Sequence, residues 1–104
     1  MSERNESMKE RIREAAAEFL SRESNGLSLI TVTGARVDER GQKATIFITV
    51  LPDTAENQAL QFANRNKHEF GVFLLKKVRG MRIPQTEFVL DRGEKMRQRL
   101  DELS

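Results

Sequence analysis

The 104-residue chain has no cysteine, no tryptophan and no tyrosine, with one histidine, two prolines and six glycines. Without cysteine there is no disulfide and no thiolate metal site, and the composition fits a reducing compartment. No apolar run approaches the roughly 18 residues that a membrane span needs. The N-terminal stretch MSERNESMKER carries charges where a secretory signal has its apolar core, so a cytoplasmic protein away from membranes is expected. The aromatic residues are six phenylalanines set among apolar neighbours. They read as core, which leaves little to stack on bases in the manner of single-strand binders. The single histidine, His68, lies in the polar run Asn64 to Glu69 and reads as a surface residue rather than a catalytic base. The carboxylates form no ligand cluster at metal spacing, and no glycine loop is present to cradle a nucleotide phosphate. An enzyme is therefore not expected, nor a metal, a cofactor or a small-molecule substrate.

A chain of this length buries about two thirds of its unfolded surface, enough for one two-layer core. A single domain over residues 1–104, acting as a monomer, is the expectation. The net charge is only +2, but it is unevenly spread. Residues 1–64 hold 8 basic and 10 acidic side chains, whereas residues 65–104 hold 10 basic and 6 acidic ones. Between 76 and 99 the balance reaches 8 to 3. Such a local field attracts a polyanion to one face and leaves the rest of the surface balanced. The alternative for the same residues is the ordinary solvated face of a helix.

Ser7 and Glu10 form a capping-box pattern for a first helix over about 8–23, whose stripe is Met8, Ile12, Ala15, Ala16 and Phe19. Asn25 and Gly26 mark its end. Two strands follow around the polar turn of Glu39, Arg40 and Gly41. In the second, Ala44, Ile46, Ile48 and Val50 share one face. In the first, Ile30 and Val32 are out of phase with Ala35 and Val37, so a bulge near Gly34 is expected to restore one buried face. Pro52 closes the second strand, and Asp53 with Glu56 gives a second capping pattern. The helical region that follows reaches about Val78. Its apolar stripe breaks over Asn64–Glu69 and resumes at Phe70, Phe73, Leu74 and Val78, which places a bend or a helix break near Gly71, the alternative being a glycine tolerated within the helix. Pro84 ends a basic turn, and Thr86, Phe88 and Leu90 share a face of a third strand. Met96, Leu100 and Leu103 give a short C-terminal amphipathic helix.

The order is α+β, in the αββααβ sequence of type II K-homology (KH) domains: a three-stranded sheet packed against helices. The Gly-x-x-Gly loop with which most such domains clamp nucleotide backbone is absent. The stretch FGVFLLKKVRGMRIPQTEFVLD, residues 70–91, resembles ribosome-binding factor A. So do Arg11 and Ile12, the VTGARVD and KATIFITVLPD strands, and the closing RLDEL run. That family has a KH-like fold with an Ala-x-Gly kink in place of the loop. Here the kink position holds Glu69, Phe70 and Gly71, and Gly93 stands where a serine is usual. The resemblance implies a non-catalytic assembly factor that binds the immature 30S small ribosomal subunit and assists 16S rRNA processing. Lys76, Lys77, Arg79 and Arg82, with Arg65, Lys67, Arg92, Lys95, Arg97 and Arg99, are the expected phosphate contacts. Two other classes remain open: a generic KH-like RNA-binding module, and a module that docks on a ribosomal protein or another factor through helix one and the first sheet, with the acidic series Glu10, Glu14 and Glu18 facing a basic partner.

Overall fold

The computed structural model describes residues 3–23, 28–78, 80 and 82–93. Helix α1 spans Glu3–Glu23, strand β1 Leu29–Val37, strand β2 Lys43–Leu51, helix α2 Glu56–Arg65, helix α3 Lys67–Lys77 and strand β3 Gln85–Leu90. The sheet order is β1-β2-β3, with β1 antiparallel and β3 parallel to β2. Among the described residues the expected α+β architecture is thus present as a mixed three-stranded sheet with three α-helices.

The helices pack on one sheet face. On β2 every second residue, Ala44, Ile46, Ile48 and Val50, is buried, while Thr45, Phe47 and Thr49 on the other face are half-exposed. From α1 come Ile12, Ala16, Phe19 and Leu20, from α3 Phe70 and Leu74, and from β3 Phe88. Fully burying one such side chain stabilises the fold by about 1.5–3 kcal/mol. Four aromatic rings tie three elements together. Phe19 of α1 meets Phe73 at 5.6 Å and Phe70 at 5.5 Å, and Phe70 meets Phe88 of β3 edge-on at 5.7 Å. Of the six phenylalanines, Phe19, Phe70 and Phe88 are buried, but Phe47, Phe62 and Phe73 are only half-buried.

The expected bulge is found. The β1–β2 register shifts between Val32 and Gly34, so Thr33 is the extra residue. Ile30, Val32, Ala35 and Val37 then all pack against the core. The turn into β2 is held by Asp38. Its Oδ1 accepts from the Gln42 N–H at 2.7 Å and the Lys43 N–H at 3.2 Å, and Gly41 takes the left-handed φ of +68° that the turn requires. The hydrogen bond from the Lys43 N–H, followed by that from Gln42, holds the Asp38 carboxyl below its ordinary pKa.

Both capping boxes give way to other starts. Helix α1 begins at Glu3, so Ser7 lies within it. A favourable N-cap is worth about 1 kcal/mol and does not stop a helix that can propagate upstream through good formers such as glutamate and arginine. After Pro52 a 3-10 turn, Asp53–Ala55, closes with the Ala55 N–H on the Pro52 carbonyl at 2.9 Å, and α2 starts behind it from Ala55 without a side-chain cap. The C-terminal helix expected around Met96, Leu100 and Leu103 lies outside the described residues.

The helical region is interrupted, but not at Gly71. Helix α3 runs unbroken through Gly71, and the interruption falls five residues earlier, at Asn66, with φ −99° and ψ 13°. Asn66 ends one helix and begins the next. Its N–H is shared between the Phe62 and Ala63 carbonyls, each at 3.2 Å, and its Nδ2 donates to the Phe62 carbonyl at 2.8 Å. Its own carbonyl accepts the first α3 bond, from the Phe70 N–H at 2.9 Å. An asparagine side chain competes for helix carbonyls in this way, and a lone glycine tolerated within a helix does not.

Candidate nucleic-acid interface

Asn64, two residues before the break, sets the position of the α2–α3 junction. Its side-chain amide meets the backbone of Phe88 on the outer edge of β3. Nδ2 donates to the Phe88 carbonyl and Oδ1 accepts from the Phe88 N–H, both at 3.0 Å. The amide thus imitates the next strand of the sheet. It holds the end of α2 against β3 and leaves a groove lined by Lys43, Ala44 and Thr45 of β2, Asn64 and Lys67 of the helices, and Gln85, Thr86 and Glu87 of β3. Lys43 and Lys67, 24 residues apart in sequence, line this groove together.

The expected cations do not all serve alike. Arg65 and Lys67 are exposed on either side of the break, Lys76 is exposed on α3, and Arg82 is exposed in the segment leading to β3. Lys77 is engaged elsewhere. Its Nζ lies 3.0 Å from Glu18 Oε2 on α1 and 5.5 Å from the centre of the Phe73 ring. The same Glu18 takes Arg22 at 3.1 Å, and the Arg22 guanidinium stands 5.7 Å from that ring. Lys77 therefore clasps α3 to α1 and is a weaker candidate for phosphate than its neighbour Lys76. Arg92 lines a different groove, with Asp53, Glu56 and Asp91 around it, where carboxylates oppose an approaching polyanion. Arg79, Lys95, Arg97 and Arg99 lie outside the described residues. Glu69, Phe70 and Gly71 fall in the first half of α3, with Phe70 fully buried and Glu69 exposed.

Asp91 has a structural task. The Thr33 hydroxyl, on the bulge, lies 2.5 Å from Asp91 Oδ2 and 3.3 Å from the Phe47 carbonyl, so β1 is linked across β2 to the end of β3. His68 is exposed on α3, as expected of a surface histidine. Among the described residues no group of three His, Cys, Asp or Glu side chains is placed to hold a metal ion, and no helix is long and apolar enough to cross a membrane.

The family model for ribosome-binding factor A matches residues 4–104. The chain belongs to that family. No curated protein matches the sequence. Among solved structures it is similar to ribosome-binding factor A from Thermus thermophilus, at 22% identity and a TM-score of 0.75, with 85% of this chain and 97% of that one covered. A Thermus thermophilus ribosome-binding factor A homology model, fitted into the cryo-EM map of a 30S complex, aligns at 24% identity and a TM-score of 0.71 over 81% of this chain and 91% of that one. A Thermotoga maritima protein described as a candidate ribosome-binding factor A gives 18% identity and a TM-score of 0.71 over 86% and 88%. At these identities the likeness establishes the fold. Membership rests on the family match.

Sequence reasoning missed Lys43 and Asn64. Lys43 stands in the half of the chain that is acidic overall, and only the fold brings it beside Lys67. Asn64 did carry a signal: it is the first polar residue to interrupt the α2 stripe, at a position that faces β3.

Proposed function

We propose that this chain binds the small ribosomal subunit during its assembly and assists maturation of 16S rRNA without catalysing a bond change itself. The carrying observation is family membership over residues 4–104, joined by the likeness to a factor fitted into a 30S complex. Arg65, Lys67 and Lys76 of the helical pair, Arg82 of the segment before β3 and Lys43 of the sheet supply charge for phosphate contact. Phosphate contacts orient a protein on RNA but carry little sequence information, so selectivity comes from the folded shape of the rRNA. The α2–α3 connection is the single residue Asn66. It has no glycine loop for close backbone approach, so side chains rather than backbone N–H groups meet the phosphates. The protein works in the cytoplasm as a one-domain monomer and needs no cofactor.

The docking module based on Glu10, Glu14 and Glu18 gains no support, because two of these carboxylates are neutralised within the protein. Glu10 pairs with Arg13, and Glu18 with Arg22 and Lys77. Sedimentation of the tagged chain through a sucrose gradient tests the proposal. Comigration with small subunits and not with translating ribosomes is expected; comigration with neither, or with translating ribosomes, overturns it.

A further inference from the structure

Helix α3 is apolar on both sides. Phe70 and Leu74 point into the core, yet Val72 and Leu75 on the opposite side are 43% and 55% exposed. A helix covered on one face only ordinarily turns charged and polar residues outward. Here the outward line is His68, Val72 and Leu75, at i, i+4 and i+7, all exposed. Gly71 lies beside that line, and a Cβ built on it would meet nothing within 4 Å. Nothing there blocks a close approach to the helix.

The charges around the stripe decide what covers it. Lys67 and Lys76 are nine residues apart, about two and a half helical turns, which places them on opposite flanks and about 13.5 Å apart along the axis. Both are exposed, and unlike Lys77 neither has an ion-pair partner among the described residues. We propose that this outward face of α3 seats in the minor groove of a double-stranded rRNA segment, with Val72 and Leu75 against the riboses and Lys67 and Lys76 on the two bordering phosphate strands. The inference rests on the small-subunit reading above and names the element that makes the contact.

The minor groove of A-form RNA is wide and shallow, shows sugar faces and 2′-hydroxyls, and is bordered by phosphates on both sides. That arrangement matches an apolar stripe with one cation on each flank. Unpaired bases fit it less well, because its one aromatic ring is the His68 imidazole at the end of the line, while the stripe itself, Val72 and Leu75, is aliphatic. Glu69, exposed on the flank of Lys76, is the one carboxylate of α3 and opposes the contact. Its replacement by Gln is therefore expected to tighten binding.

The test compares the intact chain and its variants on immature small subunits and on protein-free 16S rRNA. The pair Val72→Ser with Leu75→Ser is expected to weaken both about tenfold without changing the salt slope. Lys67→Gln with Lys76→Gln is expected to flatten that slope by about 1.4–1.8, at roughly 0.7–0.9 per phosphate contact. Leu75→Gln alone acts in the same direction as the serine pair and, at so exposed a site, leaves the melting temperature in place. If the serine pair weakens binding to subunits but not to free rRNA, the stripe faces a ribosomal protein and the inference is wrong. The same holds if it changes neither while the wild type binds both. A wild-type chain that binds no subunit removes the function proposed above, and this contact with it.

Discussion

Replacing Asn64 with alanine removes both hydrogen bonds that fix the α2–α3 junction to the sheet. Each of those bonds is 3.0 Å long and partly buried. A typical net contribution is about 0.5–1.5 kcal/mol per bond, and stranding a buried backbone group costs more, about 1–3 kcal/mol. The Phe88 N–H and carbonyl point to the outer edge of β3, where no further strand lies among the described residues. Water can reach them in part once the amide is gone. The expected loss is then about 2–3 kcal/mol, a large share of the 5–15 kcal/mol typical of a domain. In a domain of this size, that lowers the melting temperature by about 10–20 °C. Asn64→Asp is expected to be no better, since it keeps the acceptor for the N–H but sets a carboxylate oxygen against the Phe88 carbonyl. Urea unfolding followed by circular dichroism measures the loss, with Asn57→Ala, at an exposed position of the same helix, as the reference. If Asn64→Ala unfolds no earlier than Asn57→Ala, the amide does not anchor the junction.

Gly71→Ala is expected to stabilise the protein by up to about 1 kcal/mol, because α3 is regular there and the new Cβ meets open space; destabilisation in thermal melts would restore a bend at that residue. The Glu18–Lys77 pair, whose side chains are 37% and 45% exposed, is expected to show a coupling of only about 0.2–1 kcal/mol in a double-mutant cycle. Lys76→Ala is expected to leave stability unchanged, so equal losses for Lys76→Ala and Lys77→Ala would contradict the division between them. The depressed pKa of Asp38 means that its contribution is present above the unfolded value of 3.8 and is lost as pH falls through the lower folded value. Urea midpoints measured between about pH 6 and pH 2 are therefore expected to fall less for Asp38→Asn than for the wild type below about pH 4, and parallel curves would refute that role.

The elements that sequence described best are those whose signal is local and repeated. The alternation in β2, the phase change around Gly34 and the Thr86, Phe88, Leu90 face each follow from side-chain period alone, and the structure has all three. Starts and breaks were less legible. Ser7 and Asp53 look like caps, but a cap is a preference of about 1 kcal/mol that neighbouring residues override. Propensity points to Gly71 for the interruption, because glycine is the weakest helix former in that run. It occurs at Asn66, where a side chain competes for backbone carbonyls and a partner 24 residues away holds the preceding turn. The candidate site divides along the same line. Composition located a basic region, but only the fold shows that Lys77 is committed to Glu18, that Arg92 lies among carboxylates and that Lys43 joins Lys67.

Binding of the wild-type chain to purified immature small subunits, followed as salt rises from about 50 to 200 mM, bears most directly on whether these cations meet rRNA. With phosphate contacts from Arg65, Lys67, Lys76, Arg82 and Lys43, the wild-type affinity is expected to fall on the order of a few hundredfold over that range, and that of the combined Lys67→Gln, Lys76→Gln, Arg82→Gln variant, with two contacts left, only about tenfold. A wild-type affinity that stays level with salt, or a variant that falls as steeply as the wild type, would contradict the account.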